Sequence, residues 1–140
     1  MPYAKAGFFA RLLAFSIDLG LNLLFILVVY YSASVILGYD PNDSFKGFRM
    51  VIAALFFYLS FAIYHIAFVA LESAPPGKMI LGLKVVTLDG QRVTTARAVF
   101  RAFGYYLSAS FGLLGFFWAL FDSHNQTWHD KLAGTAVSES

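Results

Sequence analysis

The sequence has no cysteine, which excludes disulfide bonds and thiolate ligands to a metal ion. Charged residues are also scarce, because they make up 13% of the chain against about 25% in a typical soluble domain. This scarcity argues against a soluble enzyme. The formal net charge is only +2, and no basic stripe is interleaved with aromatic residues, so we expect no nucleic-acid partner.

Familiar catalytic motifs are missing as well. There is no nucleophile elbow and no HExxH zinc motif, and "PPGK" lacks the first glycine, the spacing and the Ser/Thr of a phosphate-binding loop. The tail holds Asp122, His124, His129 and Asp130, but their spacing matches none of the usual zinc patterns. We therefore predict that the protein is not an enzyme and has no cofactor, and a metal site in the tail is the weakest hypothesis.

Hydrophobic residues are abundant, at 59% of the chain, and the sixteen Phe and eight Tyr suit a membrane core with its interfaces. Two apolar stretches, about 12–37 and 50–71, are long enough to cross a hydrocarbon core of about 30 Å. The first runs far past the length of a signal peptide, so we expect a retained span. The chain is predicted to be one all-α integral membrane domain over residues 1–140, with the lipid bilayer as its partner.

A third uncharged segment, about 102–121, is also of span length, but it contains three glycines. It either crosses fully or is broken and re-entrant, and the pattern alone leaves both open. A re-entrant segment would return the tail to its starting side, where the strand-like residues 135–137 would find a sheet edge. We favour that alternative slightly, because a strand-like tail needs an edge to pair with.

The stretch "GLKVVTLDGQRVT" alternates and is rich in β-branched residues, which is typical of strands. Asp89 and Gly90 at its centre favour a two-residue type I′ turn. We expect a small β-hairpin that pairs residues 83–88 with 91–94 outside the lipid. Lysine and arginine are concentrated in the N-terminal region and in residues 72–101, which places the N-terminus and the hairpin in the cytoplasm.

Polar residues interrupt the apolar spans in a regular way. Arg11, Asp18 and Asn22 are seven and four residues apart, so they lie within about 20° of one helix face. His65 and Glu72 are also seven apart on the second span. Because the two helices are antiparallel, we predict that Arg11 lies level with Glu72 and forms an ion pair with it at the membrane surface. Asp18 is then level with His65, which predicts an Asp–His pair inside the membrane. Such a polar stripe either glues helices together or carries ions and protons.

Four segments together resemble the RDD family of bacterial membrane proteins: "AGFFARLLAFSIDLGL", "PPGKMILGLKVVTLDGQRVT", "RAFGYYLS" and "GFFWALFDSHNQTWHDKLAGTAV". They cover nearly the whole chain in the family's order. The family is named for one arginine and two aspartates, and Arg11 and Asp18 match the first two. Asp130 in "WHDKLAGT" or Asp122 in "ALFD" matches the third, and we favour Asp130. The chain departs from the pattern at Pro75, which replaces the usual Thr or Ser before "PGK".

The resemblance implies a membrane protein of a family proposed to transport ligands, some members of which are reported as cation/proton antiporters. Two or three helices cannot enclose a solute path, so transport would require a homo-oligomer or a partner. We expect exchange of a small cation (Na⁺, Li⁺ or K⁺) for protons, with Asp18 as the carrier, Arg11 stabilising its ionised form and His65 relaying protons. The alternative is a non-transporting structural or assembly subunit that docks a partner.

Overall fold

Two long apolar helices form the frame of the molecule in the computed structural model, which describes residues 3–40 and 42–139. Helix α1 spans Phe8–Leu37 and α2 spans Lys46–Glu72. Thirty residues at about 1.5 Å per residue exceed the thickness of a hydrocarbon core, and both helices are long and apolar enough to cross a membrane. The two predicted spans are therefore confirmed, and each helix begins about four residues before its predicted span.

The outward faces of α1 and α2 are hydrophobic and open. Leucine, isoleucine and phenylalanine side chains are exposed along both helices, as at Ile36 and Phe48. Such a surface is stable where lipid replaces water. The loop between the helices is polar, and Asp40 and Asp43 each accept a backbone N–H two residues ahead, which sets tight turns.

The third apolar segment is broken. Helix α4 spans Thr95–Ser110, α5 spans Leu114–Phe117 and continues as a 3-10 turn over Trp118–Leu120, and the two parts meet at 111°. Gly112 and Leu113 both have positive φ at the break (62° and 68°), a left-handed conformation that ends the first helix and turns the chain. The broken alternative is thus confirmed, and a straight third span is not formed.

A small antiparallel sheet closes one end of the molecule. Strand β1 (Leu83–Thr87) pairs with β2 (Thr135–Glu139), with Val85 opposite Val137. The other edge of β2 binds the N-terminal segment, because Ala6 N–H donates to the Val137 carbonyl at 3.0 Å. Paired strands lie on one side of a bilayer, so the chain between β1 and β2 returns to the side from which it started. The expected pairing of residues 135–137 is confirmed.

The predicted hairpin is reduced to one bridge. Val86 pairs with Arg92, and Thr87 N–H donates to the Gln91 carbonyl at 2.9 Å, but no longer ladder forms within the described residues. The type I′ turn is wrong, because Gly90 has positive φ (77°) whereas Asp89 does not. The turn has three residues, 88–90. Its second strand is short because Val93 enters the core and the next residue already caps α4.

Two short helices bring polar residues to the sheet end. Helix α3 (Pro76–Ile80) begins with a proline at its first position and packs on α1. Helix α6 (Trp128–Ala133) packs on α4, and its first turn is closed by a capping box between Thr127 and Asp130. Helices α1, α3, α4 and α6 thereby converge just beneath the sheet.

Candidate functional site

A cluster of buried charged and aromatic side chains lies where these four helices converge. We call it the polar centre, and it consists of Arg11 from α1, Lys78 from α3, Arg101 and Tyr105 from α4, and His129 and Asp130 from α6. Arg11 is 8% exposed, whereas Lys78, Arg101 and Asp130 are at most 2% exposed. Charges at this depth require partners, because desolvating an isolated ion costs several kcal/mol or more.

Asp130 is the anionic hub of the polar centre. One carboxylate oxygen accepts from the Arg101 guanidinium and the other from that of Arg11. The Thr127 N–H and hydroxyl also donate to Asp130 Oδ2, at 3.1 and 2.8 Å. Burial alone would raise the pKa of Asp130, but the two guanidinium groups hold that pKa well below its ordinary value. Asp130 is therefore ionised at neutral pH, with both oxygens occupied.

Arg11 does not pair with Glu72, which corrects the first predicted ion pair. Its guanidinium donates to Asp130 and to the Asn125 carbonyl. Glu72 lies exposed at the end of α2. Helical side chains lean toward the N-terminus of their helix. At the start of α1 this direction points to the C-terminal tail, which the break in the third segment brings back to that end of the molecule. Of the two candidates for the family's second aspartate, Asp130 is the one that contacts Arg11.

Asp18 is fully buried at the junction of α1, α2 and α3. Its Oδ1 accepts from the Tyr64 hydroxyl at 2.8 Å and from the Gly77 N–H at 2.7 Å. Its Oδ2 is also buried and has no hydrogen-bond partner among the described residues. The predicted Asp18–His65 pair is therefore wrong by one position on α2, since Tyr64 takes the place expected for His65.

His65 packs instead among aromatic rings. Its ring centroid lies 4.4 Å from that of Phe61 and 4.8 Å from that of Tyr105. Neither ring nitrogen has a hydrogen-bond partner within residues 3–40 and 42–139. The packing of His65 is that of a buried apolar ring, and a proton-relay role for it stays a prediction.

Asn22 joins the two long helices. Its side-chain oxygen accepts from the Ser60 hydroxyl at 3.1 Å, and its amide nitrogen donates to the Phe57 carbonyl at 3.4 Å. Amide contacts of this type hold membrane helices together. Asn22 therefore contributes to helix packing, and an ion-binding role for it stays a prediction.

Asp122 organises the turn before α6. It accepts from the backbone N–H groups of His124 and Gln126 and pairs with Lys131 Nζ at 2.5 Å. Partial burial raises the pKa of Asp122, but Lys131 and the two N–H groups outweigh that effect and leave the pKa below its ordinary value. Across residues 3–40 and 42–139, no three His, Cys, Asp or Glu side chains are grouped to hold a metal ion.

Sequence reasoning missed three members of the polar centre. In the sequence, Lys78 and Arg101 indicate only which side of the membrane their segment occupies, and "PPGK" does not form a phosphate-binding loop. The usable signal was the spacing of Arg97 and Arg101 on α4, because both reach α6. Arg97 Nη1 donates to the Gly134 carbonyl at 2.7 Å, and Arg101 binds Asp130. Tyr105, whose hydroxyl accepts from Lys78 Nζ at 3.2 Å, gave no local signal at all.

Comparison with known proteins gives one family and no individual relative. No curated protein and no solved structure matches the chain. The model of the RDD family matches residues 5–134, which include the first three segments of the resemblance, the fourth up to Gly134, and all the residues of the polar centre. Because the match covers nearly the whole chain and the chain has two membrane-spanning helices, the protein belongs to the RDD family.

Proposed function

We propose that the protein is a small-cation/proton antiporter of the bacterial inner membrane, with its N-terminus in the cytoplasm and Asp18 as the group that carries cation and proton in turn. The observation that carries the proposal is the state of Asp18: a fully buried carboxylate within a membrane span, with one oxygen uncommitted. An intramembrane ionisable residue of this kind marks a functional site by default.

Asp18 suits exchange better than Asp130 does. Asp130 is bound by two guanidinium groups, and a cation would have to compete with both of them. Asp18 has hydrogen-bond donors on one oxygen only, and the charge of Lys78 on α3 attracts its carboxylate. The other oxygen is free to take either a proton or a small cation. In this proposal Lys78, rather than Arg11, stabilises the ionised state.

The surface between α1 and α2 supports an oligomeric carrier. A cleft of about 400 Å³ opens on the lipid side, lined by apolar residues such as Leu21, Phe25 and Phe56, with Asn22 and Tyr64 at its wall. Two long helices and one broken segment do not enclose a path on their own. We infer that a second copy packs over this cleft and completes the route to Asp18, past Tyr64.

The test is transport by purified protein in liposomes under an imposed pH gradient. Asp18→Asn keeps the shape of the side chain but removes its charge, so cation-dependent proton flux should fall roughly tenfold or more. Asp89→Asn, in the exposed turn outside the spans, is the matched control and should transport like wild type. Equal flux in D18N and wild type, for Na⁺, Li⁺ and K⁺ alike, would overturn the proposal.

A second candidate is a non-transporting assembly subunit that docks a partner. It is favoured by the polar centre, where Arg11 and Asp130 both bind other groups of the protein and so are not available to a transported ion. This candidate predicts no ion flux in wild-type liposomes, together with a partner that co-purifies in stoichiometric amount. Flux that depends on Asp18 would exclude it as the sole function.

A further inference from the structure

A small, partly open cavity within the polar centre has an excess of positive charge at its wall. The cavity has a volume of about 20 Å³, and its lining combines apolar side chains such as Phe15 and Phe116 with the three cations Arg11, Lys78 and Arg101. Among residues 3–40 and 42–139, Asp130 is the one carboxylate that forms ion pairs with these cations, and it lies between the two arginines rather than in the cavity lining. Even when Asp18 is counted, because it attracts Lys78, three cations face two carboxylates.

The donors around the cavity exceed the acceptors. Arg101 is 2% exposed, and its Nε and Nη2 have no hydrogen-bond partner within the described residues, although the Tyr105 ring centroid lies 5.8 Å from its guanidinium carbon. Lys78 Nζ donates to the Tyr105 hydroxyl and has two further hydrogens. Buried cations with unfilled donors are costly unless an anion or water completes them.

We propose that this cavity binds a small monovalent anion of halide size, with Lys78 and Arg101 as its main ligands. The volume of about 20 Å³ is enough for one water molecule or one small ion, and the single surplus positive charge is balanced by a monovalent anion. A halide would neutralise the third cation and accept hydrogen bonds from the free nitrogens. The anion site lies next to Asp18 and shares Lys78 with it, but binding of the anion does not require that the protein transports ions.

The test is binding of radioactive chloride to the purified, detergent-solubilised protein at constant ionic strength, with gluconate as the balancing anion. Wild type should bind about one chloride per chain in a saturable manner, with competition from bromide and none from sulfate or gluconate. Absence of saturable binding would overturn the proposal, and so would sulfate competing as well as bromide.

Variants locate the ion. Lys78→Gln should weaken chloride binding roughly tenfold or more, while Lys84→Gln, a matched change at an exposed lysine of β1, should leave it unchanged. Unchanged binding in K78Q would place the ion elsewhere and contradict the proposal. If K78Q does not give a monodisperse protein, the proposal is tested by wild type alone: competition from bromide supports it, and equal competition from sulfate contradicts it.

Tyr105→Phe separates the halide from an internal source of negative charge. An ionised Tyr105 would balance the third cation without any ion from solution. In that case wild type would bind no chloride and Y105F would gain binding, which would overturn the proposal. If a halide is the partner, both proteins bind chloride.

Discussion

At the scale of single residues, Asp130 and Asp122 offer a direct comparison, because both are aspartates of the same tail and both form ion pairs. Asp130 is fully buried between two arginines, whereas Asp122 pairs with a lysine that is 45% exposed. Replacing Asp130 by Asn leaves Arg11 and Arg101 with uncompensated buried charge. We expect D130N to lose about 3–5 kcal/mol of unfolding free energy and D122N less than about 1 kcal/mol.

Tryptophan fluorescence can measure the stability of these two variants. The Trp118 and Trp128 rings lie 6.4 Å apart, and Trp128 is the first residue of α6. Denaturant unfolding in detergent, followed by their fluorescence, should show the difference. Similar losses of unfolding free energy in D130N and D122N would mean that the ion pairs of Asp130 do not stabilise the polar centre. Because the pKa of Asp130 lies well below its ordinary value, its contribution is complete above about pH 4 and is lost as the pH falls through that lower folded value.

His129 makes the unfolding free energy depend on pH closer to neutrality than Asp130 does. Burial lowers the pKa of His129 well below its ordinary value, the charge of Asp130 opposes this, and Arg101 and Arg11 reinforce it. The folded protein therefore keeps the ring neutral below about pH 6.5, where the unfolded chain takes up a proton. Unfolding free energy should fall as the pH is lowered, by at most about 1.4 kcal/mol per pH unit for this group.

The measurement is the thermal unfolding midpoint in detergent between about pH 7.5 and about pH 5. His129→Gln should flatten the dependence, whereas His124→Gln, at an exposed position of the same tail, should leave it as in wild type. The same slope in H129Q and wild type would assign the pH dependence to other groups.

At the scale of elements, the contact between α4 and α6 depends on a glycine. A Cβ at Gly104 would lie 2.5 Å from His129 Cα and Cβ, so the two helices could not keep their present distance. Gly104→Ala should therefore cost about 1–3 kcal/mol through overpacking. Gly20→Ala in α1 is the control, because nothing lies within 4 Å of its Cβ position, and it should gain up to about 1 kcal/mol from helix propensity.

Unfolding by denaturant measures both glycine variants, and binding of chloride provides a second readout for G104A. A G104A protein as stable as G20A would contradict the close packing of α4 on α6. The comparison isolates packing from propensity, since both glycines lie inside helices.

The bounds of the two long helices could be predicted from the sequence, whereas the partner of Arg11 could not. The bounds of α1 and α2 follow from continuous apolar runs, which are local properties, and so both were predicted within a few residues. The Arg11–Glu72 pair was predicted from two helices alone. The true partner, Asp130, reaches Arg11 only because the chain breaks at Gly112 and Leu113 and returns. The predicted break left its direction open, and that direction decides which side chains meet.

The one-position error at Asp18 has a similar cause. Antiparallel helix pairing fixes axial level, but the rotation of α2 about its axis decides between Tyr64 and His65, which differ by about 100°. That rotation depends on α4, which packs Tyr105 against His65. The hydrogen bond from the Gly77 N–H to Asp18 likewise requires α3 to lie against α1. The local sequence "PPGK" does not predict that tertiary contact.

At the scale of the whole molecule, the sheet determines topology. Strand β2 lies between β1 and the segment around Ala6, so the N-terminal region, the 88–90 turn and the C-terminal strand share one side of the bilayer. The loop between α1 and α2 lies at the opposite end. Since the chain has no cysteine, single cysteines can report on this arrangement without background.

We expect Asp89→Cys and Glu139→Cys to react with a membrane-impermeant maleimide in inside-out vesicles and to be protected in intact spheroplasts. Asp43→Cys, in the α1–α2 loop, should show the reverse. Labelling of Glu139→Cys from the side that labels Asp43→Cys would mean that the third segment crosses the membrane, contrary to the sheet.

The contact between Arg11 and Asp130 spans 119 positions along the chain, and this separation has a consequence for biogenesis. At roughly 5–20 residues per second, Asp130 leaves the ribosome roughly 6–24 s after Arg11. During that interval the Arg11 guanidinium lacks its carboxylate partner. The polar centre can therefore assemble only after nearly the whole chain has been synthesised.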